Sequence, residues 1–193
     1  MSEPPPIELT TDRLVLRMAA PDEAEAVADY FARNRAHFAR WDPRREEAFF
    51  TAVFWRERLT ADLERGLSEA SLRFFVFERR DAARVIGQVS FNNIVRGALQ
   101  CCHLGFGVDA AREGQGVMRE ALERAIAWAW DDLLLHRIEA NHRPENTRSA
   151  ALLRRLGFVP QGYARDYLYI DGAWRDHVLT ALLNDRWASP EPG

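Results

Sequence analysis

Glu113-Gly114-Gln115-Gly116-Val117-Met118 sits between an apolar run, Leu99 to Val108, and a helical stripe of Met118, Leu122, Ala125, Ile126 and Ala129. A short strand-forming segment, His136 to Asn141, comes next. Strand, glycine turn, helix and strand in that order predict a parallel βαβ crossover. On the N-terminal side, Leu72 to Glu78, Val85 to Val95 and Leu99 to Val108 read as an antiparallel meander. Its turns fall at Arg80-Asp81-Ala82-Ala83 and Arg96-Gly97. On the C-terminal side, Tyr163 to Ile170 and Trp174 to Leu183 flank Asp171-Gly172, a strong hairpin signal. The expected fold class is mixed α/β, with a mostly antiparallel sheet around one parallel crossover. Open sheets bind ligands at the carboxyl ends of parallel strands. The expected site therefore lies at Phe106 to Gly116 and Asn141 to Ser149.

Further elements are legible farther out. Leu14, Leu16 and Met18 alternate with Val15 and Arg17, as in a half-buried strand. Pro21-Asp22 opens a helix with the stripe Ala24, Val27, Ala28 and Phe31. A second helix is expected over Glu46 to Arg65, with Gly66 as its stop. A last one is expected over Asn146 to Leu156, closed by Gly157. The 193 residues are expected to form one domain, with Pro-containing tails at about 1–6 and 188–193.

All 26 basic residues are arginine; the sequence has no lysine. Lysine Schiff-base chemistry and a Walker phosphate loop are thereby excluded. Arginine stays charged, so no basic side chain can act as a general base at neutral pH. A net charge of −3 gives no reason to expect DNA binding. The many arginines leave an RNA or ribosome contact open, but no Arg-rich run marks one. Cys101 and Cys102 are adjacent, so on a strand they point to opposite faces and form no disulfide framework. No basic, apolar leader and no membrane-length apolar run occurs, so the expected location is the cytoplasm. No metal site is expected: His136 and His142 find no fitting third ligand.

A glycine turn leading into a helix N-terminus offers free amides and partial positive charge to a phosphate, with no need for lysine. The dinucleotide version requires a third glycine where this chain has Arg119. A tight connection without ligand is the alternative.

Leu104-Gly105-Phe106-Gly107-Val108, the glycine turn and Glu120-Ala121-Leu122 resemble the acetyl-CoA motif of the GNAT N-acetyltransferases. His136 to Asn141, Pro144-Glu145-Asn146-Thr147-Arg148-Ser149 and Leu156-Gly157-Phe158 extend the match. Leu9 to Leu14, Asn93 to Gly97 and the run Gly162 to Leu179 narrow it to the RimJ/RimL branch, the ribosomal-protein N-terminal acetyltransferases, on its RimJ, alanine-acetylating side. The similarity spans roughly residues 8–187. One position departs: the family carries Gln or Arg three residues before the turn's first glycine, and here stands Ala111, with Arg112 beside it.

The resemblance implies a twisted sheet with helices on both faces, and acetyl transfer from acetyl-CoA by direct attack of an amine. The backbone of Phe106, Gly107 and Val108 would pair with the pantetheine arm. The amides of Glu113, Gly114, Gln115, Gly116, Val117 and Met118 would hold the pyrophosphate. Asn146 would bond the arm, or simply cap its helix. Ser149 would protonate the leaving thiolate, or bond its own helix backbone. His103 and Glu139 are the candidate bases; as ordinary residues they would be a sheet histidine and a carboxylate paired with Arg137. Asp166 would bind the acceptor's α-ammonium, Tyr167 or Tyr169 would wall its pocket, and Trp41, in a segment Trp41-Asp42-Pro43 that resembles the family's acceptor-groove lining, would contact it, the aromatics alternatively packing. The implied acceptor is the N-terminus of a ribosomal protein. Two other readings stand beside it: acetylation of a small amine or antibiotic, and a non-catalytic acyl-CoA-binding or ribosome-assembly factor.

Overall fold

The computed structural model describes residues 7–67 and 71–188, and of residues 64–67 only the backbone. The expected tails fall outside that range, apart from Ala188. Eight strands form one sheet: β1 (Glu8–Thr10), β2 (Leu14–Arg17), β3 (Leu72–Glu78), β4 (Asp81–Val95), β5 (Cys101–Val108), β6 (Arg137–Glu139), β7 (Val159–Ile170) and β8 (Ala173–Leu183). Their order is β1-β2-β3-β4-β5-β6-β8-β7. Only β5 and β6 are parallel, joined by helix α4 (Val117–Asp131). The other helices are α1 (Ala24–Arg33), the single turn α2 (Arg35–Phe38), α3 (Ala52–Leu67) and α5 (Thr147–Arg155).

β3 shows why both faces are covered. Its run LRFFVFE has no polar alternation because each face is buried. Phe74 and Val76 pack with Ile86, Phe91, Leu122 and Trp128 on the α4 side. Phe75 and Phe77 pack with Phe31, Trp55 and Leu59 on the α1 and α3 side. The Phe31 ring stacks parallel on Trp55 at 4.7 Å. No described helix is long and apolar enough to cross a membrane.

Several expected boundaries move, among them the start of β7, which is Val159 and not Tyr163. The helix expected from Glu46 begins only at Ala52. Thr51 is extended, and its hydroxyl accepts from the Phe54 amide at 3.3 Å while donating to the Ala48 carbonyl at 2.7 Å. Before it lies a 3-10 turn, Glu47–Phe50. The helix also runs through Gly66 to Leu67. β4 starts at Asp81, not Val85, because the turn is only Arg79-Arg80. Asp81 to Arg84 form an exposed ribbon with no apolar face to betray it. β1 is three residues long, too short for periodicity to register. The β7–β8 turn is as expected: Asp171 and Gly172 both take positive φ, 50° and 74°.

Candidate active site

β5 and β6 pair at only three positions, Cys101↔Arg137, Cys102↔Ile138 and His103↔Glu139. Beyond them the chains diverge. After β6 the backbone stays with β8, through Ala140 N to Thr180 O and His142 N to Val178 O. β5 stays with β4, through pairs ending at Gly87↔Val108. Backbone direction alternates along a strand. Just before β5, the Gln100 carbonyl accepts from His136 and Arg137 at the start of β6, so the even-numbered residues of β5 face β6. Past the split, Phe106 and Val108 therefore turn their backbone groups into an open gap. Gly107, of odd number, turns its own toward Gln88 of β4, away from that gap.

The gap ends on the glycine turn. Gly114 and Gly116 take φ of 72° and 75°, a left-handed conformation costly for a side chain. Gly116 is the N-cap of α4. Among the described residues, no amide from Gly114 to Arg119 donates to a protein acceptor. Arg13 holds the turn from behind, donating to the Gln115 carbonyl at 3.3 Å and pairing with Glu120 at 2.6 Å. Burial raises the Glu120 carboxyl, yet bonds from Thr11 and Arg13 hold it below its usual range. Arg112 lines the cleft edge and pairs with Glu78 at 3.1 Å; Ala111 contributes no side chain there. A cluster of free amides at a helix N-terminus fits a pyrophosphate.

Across the gap stands the start of α5. The Asn146 Oδ1 accepts from the Ser149 amide at 3.1 Å, so Asn146 does cap the helix. Its Nδ2 donates to no acceptor among the described residues. The Ser149 hydroxyl makes no hydrogen bond among the described residues and lines the cleft. These two observations permit a direct separation of roles for Asn146. Asn146→Ala is expected to cost about 1 kcal/mol of stability, and Asn146→Ser, another good cap, much less. Both are expected to weaken acetyl-CoA binding about fivefold, the loss of one neutral hydrogen bond. Thermal unfolding and calorimetric titration measure the two effects.

The cleft measures about 1800 Å³. A typical small-molecule pocket holds roughly 300–1000 Å³, so there is room for a cofactor and an acceptor together. Of the expected acceptor residues, Trp41 lines it, packed under the guanidinium groups of Arg40 and Arg143. Tyr167 stands one layer behind, accepting from Asn141 at 3.2 Å and packing on His177. Tyr169 is not at the cleft. Its neighbours Leu168 and Ile170 line the wall, while Tyr169 packs on exposed Trp174. Asp166 is exposed on a β7 bulge, its amide held by Asp176 at 2.9 Å.

The two candidate bases are brought together but not into the cleft. His103 Nε2 lies 3.3 Å from Glu139 Oε2 at the last paired position before the split. Glu139 is also bound by Arg137 at 2.7 Å, the ordinary surface pairing. Neither residue lines the cleft. Cys102 is fully buried and burial pushes its thiol far up, leaving no thiolate nucleophile.

Other residues line the cleft as well. His37, on α2, carried no sequence signal. Asp42, His142, Arg143 and His177 fall inside marked stretches, Trp41 to Pro43, Asn141 to Ser149 and Gly162 to Leu179, where no role of their own was legible. Burial lowers the His177 imidazole and raises the Asp42 carboxyl.

The model of the acetyltransferase (GNAT) domain family matches residues 13–159. The ribosomal protein uS5-alanine N-acetyltransferase of Escherichia coli K12 is 43% identical over 186 residues, covering 96% of this chain and 95% of that protein. The probable N-acetyltransferase YjcK of Bacillus subtilis is 36% identical over 162 residues, covering 84% and 89%. Among solved structures, the ribosomal-protein-S5-alanine acetyltransferase of Vibrio fischeri superposes with a TM-score of 0.90 at 38% identity, covering 94% of this chain and 99% of that one. RimJ of Mycobacterium smegmatis, solved with a CoA-disulfide, superposes at 0.83 with 28% identity, covering 92% and 86%.

Proposed function

The chain belongs to the GNAT acetyltransferase family, and we propose that it acetylates the N-terminal alanine of a ribosomal protein from acetyl-CoA, uS5 being the acceptor for which its relatives are named. The observation that carries this reading is the split between β5 and β6, open along Phe106 and Val108 and ending on the free amides of Gly114 to Arg119. An extended arm with a phosphate at its end fits that shape, backbone to backbone.

Acetyl-CoA supplies the electrophile, an acetyl thioester. The chain supplies position and protons. The Phe106 and Val108 backbone binds the arm, and an N–H in this wall polarises the thioester carbonyl. The Asn146 amide steadies the arm from α5. The free Ser149 hydroxyl gives its proton to the departing sulfur. The amine comes from the acceptor, so the absence of lysine from this chain removes nothing the reaction needs.

An α-amine suits this site better than a lysine side chain. Its pKa is about 7.7–8.0 against about 10.4, so roughly a quarter is already neutral at pH 7.4, against about a thousandth. A carboxylate of ordinary strength is then a sufficient base.

The test is acetyl-CoA turnover with peptides beginning Ala, Ser or Met, beside spermine and an aminoglycoside. The expected result is turnover of the Ala peptide above all others. Turnover of the small amines alone would sink the reading, as would tight acetyl-CoA binding with no turnover.

A further inference from the structure

Three carboxylates line the cleft: Asp42, Glu113 and Glu145. Glu113 is spoken for, paired with Arg148 and 3.7 Å from His37. Glu145 lies 3.5 Å from Arg143. Asp42 alone of the three has no hydrogen bond and no cation within 4 Å of its carboxylate among the described residues. It is half-buried, in the loop after α2, beside Trp41 on the acceptor side. An unpaired carboxylate partly withdrawn from water is costly to keep. Such a group is stabilised by an arriving cation, and the acceptor of the proposed reaction arrives as an ammonium.

We propose that Asp42 receives the acceptor's α-ammonium and takes its first proton. This rests on the acetyltransferase reading above. The amine lone pair then attacks the thioester carbon, forming the C–N bond. The C–S bond breaks with its electron pair on sulfur. The second amine proton replaces the one that Ser149 gives to sulfur, and Asp42 releases the first to solvent.

The surroundings fit that role. The charged and titratable groups bearing on Asp42 are Tyr30 from α1, His37 from α2, Arg45 from its own loop and Arg73 from β3. Burial is the largest influence and pushes the carboxyl up, while Arg45, His37 and Arg73 pull it back. A carboxylate moved toward neutrality is a better proton acceptor than an ordinary one. Two of the cleft histidines are worse placed. His142 and His177 each carry one ring nitrogen on a backbone carbonyl, at 3.0 and 3.1 Å. The Arg143 guanidinium works against a proton on His177.

The test is the pH dependence of kcat/KM on an Ala-initiated peptide for the wild type, Asp42→Asn and Asp42→Glu. With Asp42 ionised, the wild type uses the ammonium and its profile is flat below the amine pKa of about 7.7–8.0. Asp42→Asn must wait for neutral amine. Its deficit is expected to be about 50-fold at pH 6 and to shrink within about fivefold at pH 8.5, with acetyl-CoA affinity unchanged. Asp42→Glu keeps the charge and is expected to restore the flat profile. A deficit that does not vary with pH, no deficit, or a Glu variant as impaired as Asn overturns the proposal. A wild type that turns over no N-terminal peptide overturns the acceptor reading itself, and this inference with it.

Discussion

Replacing Ser149 with alanine is expected to lower kcat about 100-fold while leaving acetyl-CoA affinity within about twofold. The magnitude follows from the leaving group. General acids contribute roughly 10²–10⁴ in rate. A thiol has a pKa near 8.5, so a thiolate departs tolerably well unassisted, and the lower end of that range applies. The affinity is expected to hold because the contact that positions α5 uses the Ser149 amide, bonded to Asn146, not the hydroxyl. Steady-state kinetics beside calorimetric binding separates the two quantities. An unchanged kcat would remove Ser149 from the chemistry; a matching loss of affinity would make it a binding residue.

Gly116→Val is expected to weaken acetyl-CoA binding by at least about 100-fold. Valine is strained at the φ of 75° that Gly116 adopts, and it would also place its side chain toward Arg13, whose Nη2 lies 3.6 Å from a Cβ built there. Either relaxation turns the amides of the first helical turn away from a common anion. A charge-assisted hydrogen bond contributes about 1.5–3 kcal/mol, so losing two removes about 3 kcal/mol or more, and each 1.4 kcal/mol is tenfold. Gly116→Asn is the matched control, because asparagine tolerates the left-handed region. It is expected to retain most of the affinity. Equal losses in the two variants would show that bulk, not backbone conformation, governs the turn.

The parts of the site that were legible in the sequence are those whose chemistry is local. Gly114-Gln115-Gly116 is read as an anion turn because its geometry depends on residues one to three positions away. Asn146 and Ser149 belong to one helical turn, so cap and capped amide are visible together. The roles of Ser149, Asn146 and the turn remain for the variants above to test. Where the candidate bases sit relative to the cleft was not legible. His103 and Glu139 are paired across β5 and β6, as their strands suggested, yet they sit at the closed end of the split and outside the cleft. Strand period fixes which face a side chain occupies, but not where along the strand its neighbour departs. The same limit applies to Tyr169: alternation puts it opposite Leu168 and Ile170, and only the folded sheet shows which of those faces meets the cleft.

Asp42 marks the boundary between the two kinds of knowledge. By itself the sequence determined the crossover, the meander, the hairpin turn and the amide cradle, because each is set by short-range sterics and by periods of two or 3.6 residues. It also determined that no lysine is available, so any amine must come from outside. Only the tertiary structure decided which carboxylate stands unpaired. That property belongs to no residue: Glu113 meets Arg148 across 35 positions of chain, and Asp42 meets no cation within ion-pair distance among the described residues. Whether a charge is satisfied depends on every group the fold brings within a few ångströms, and that set is assembled from segments far apart in the chain.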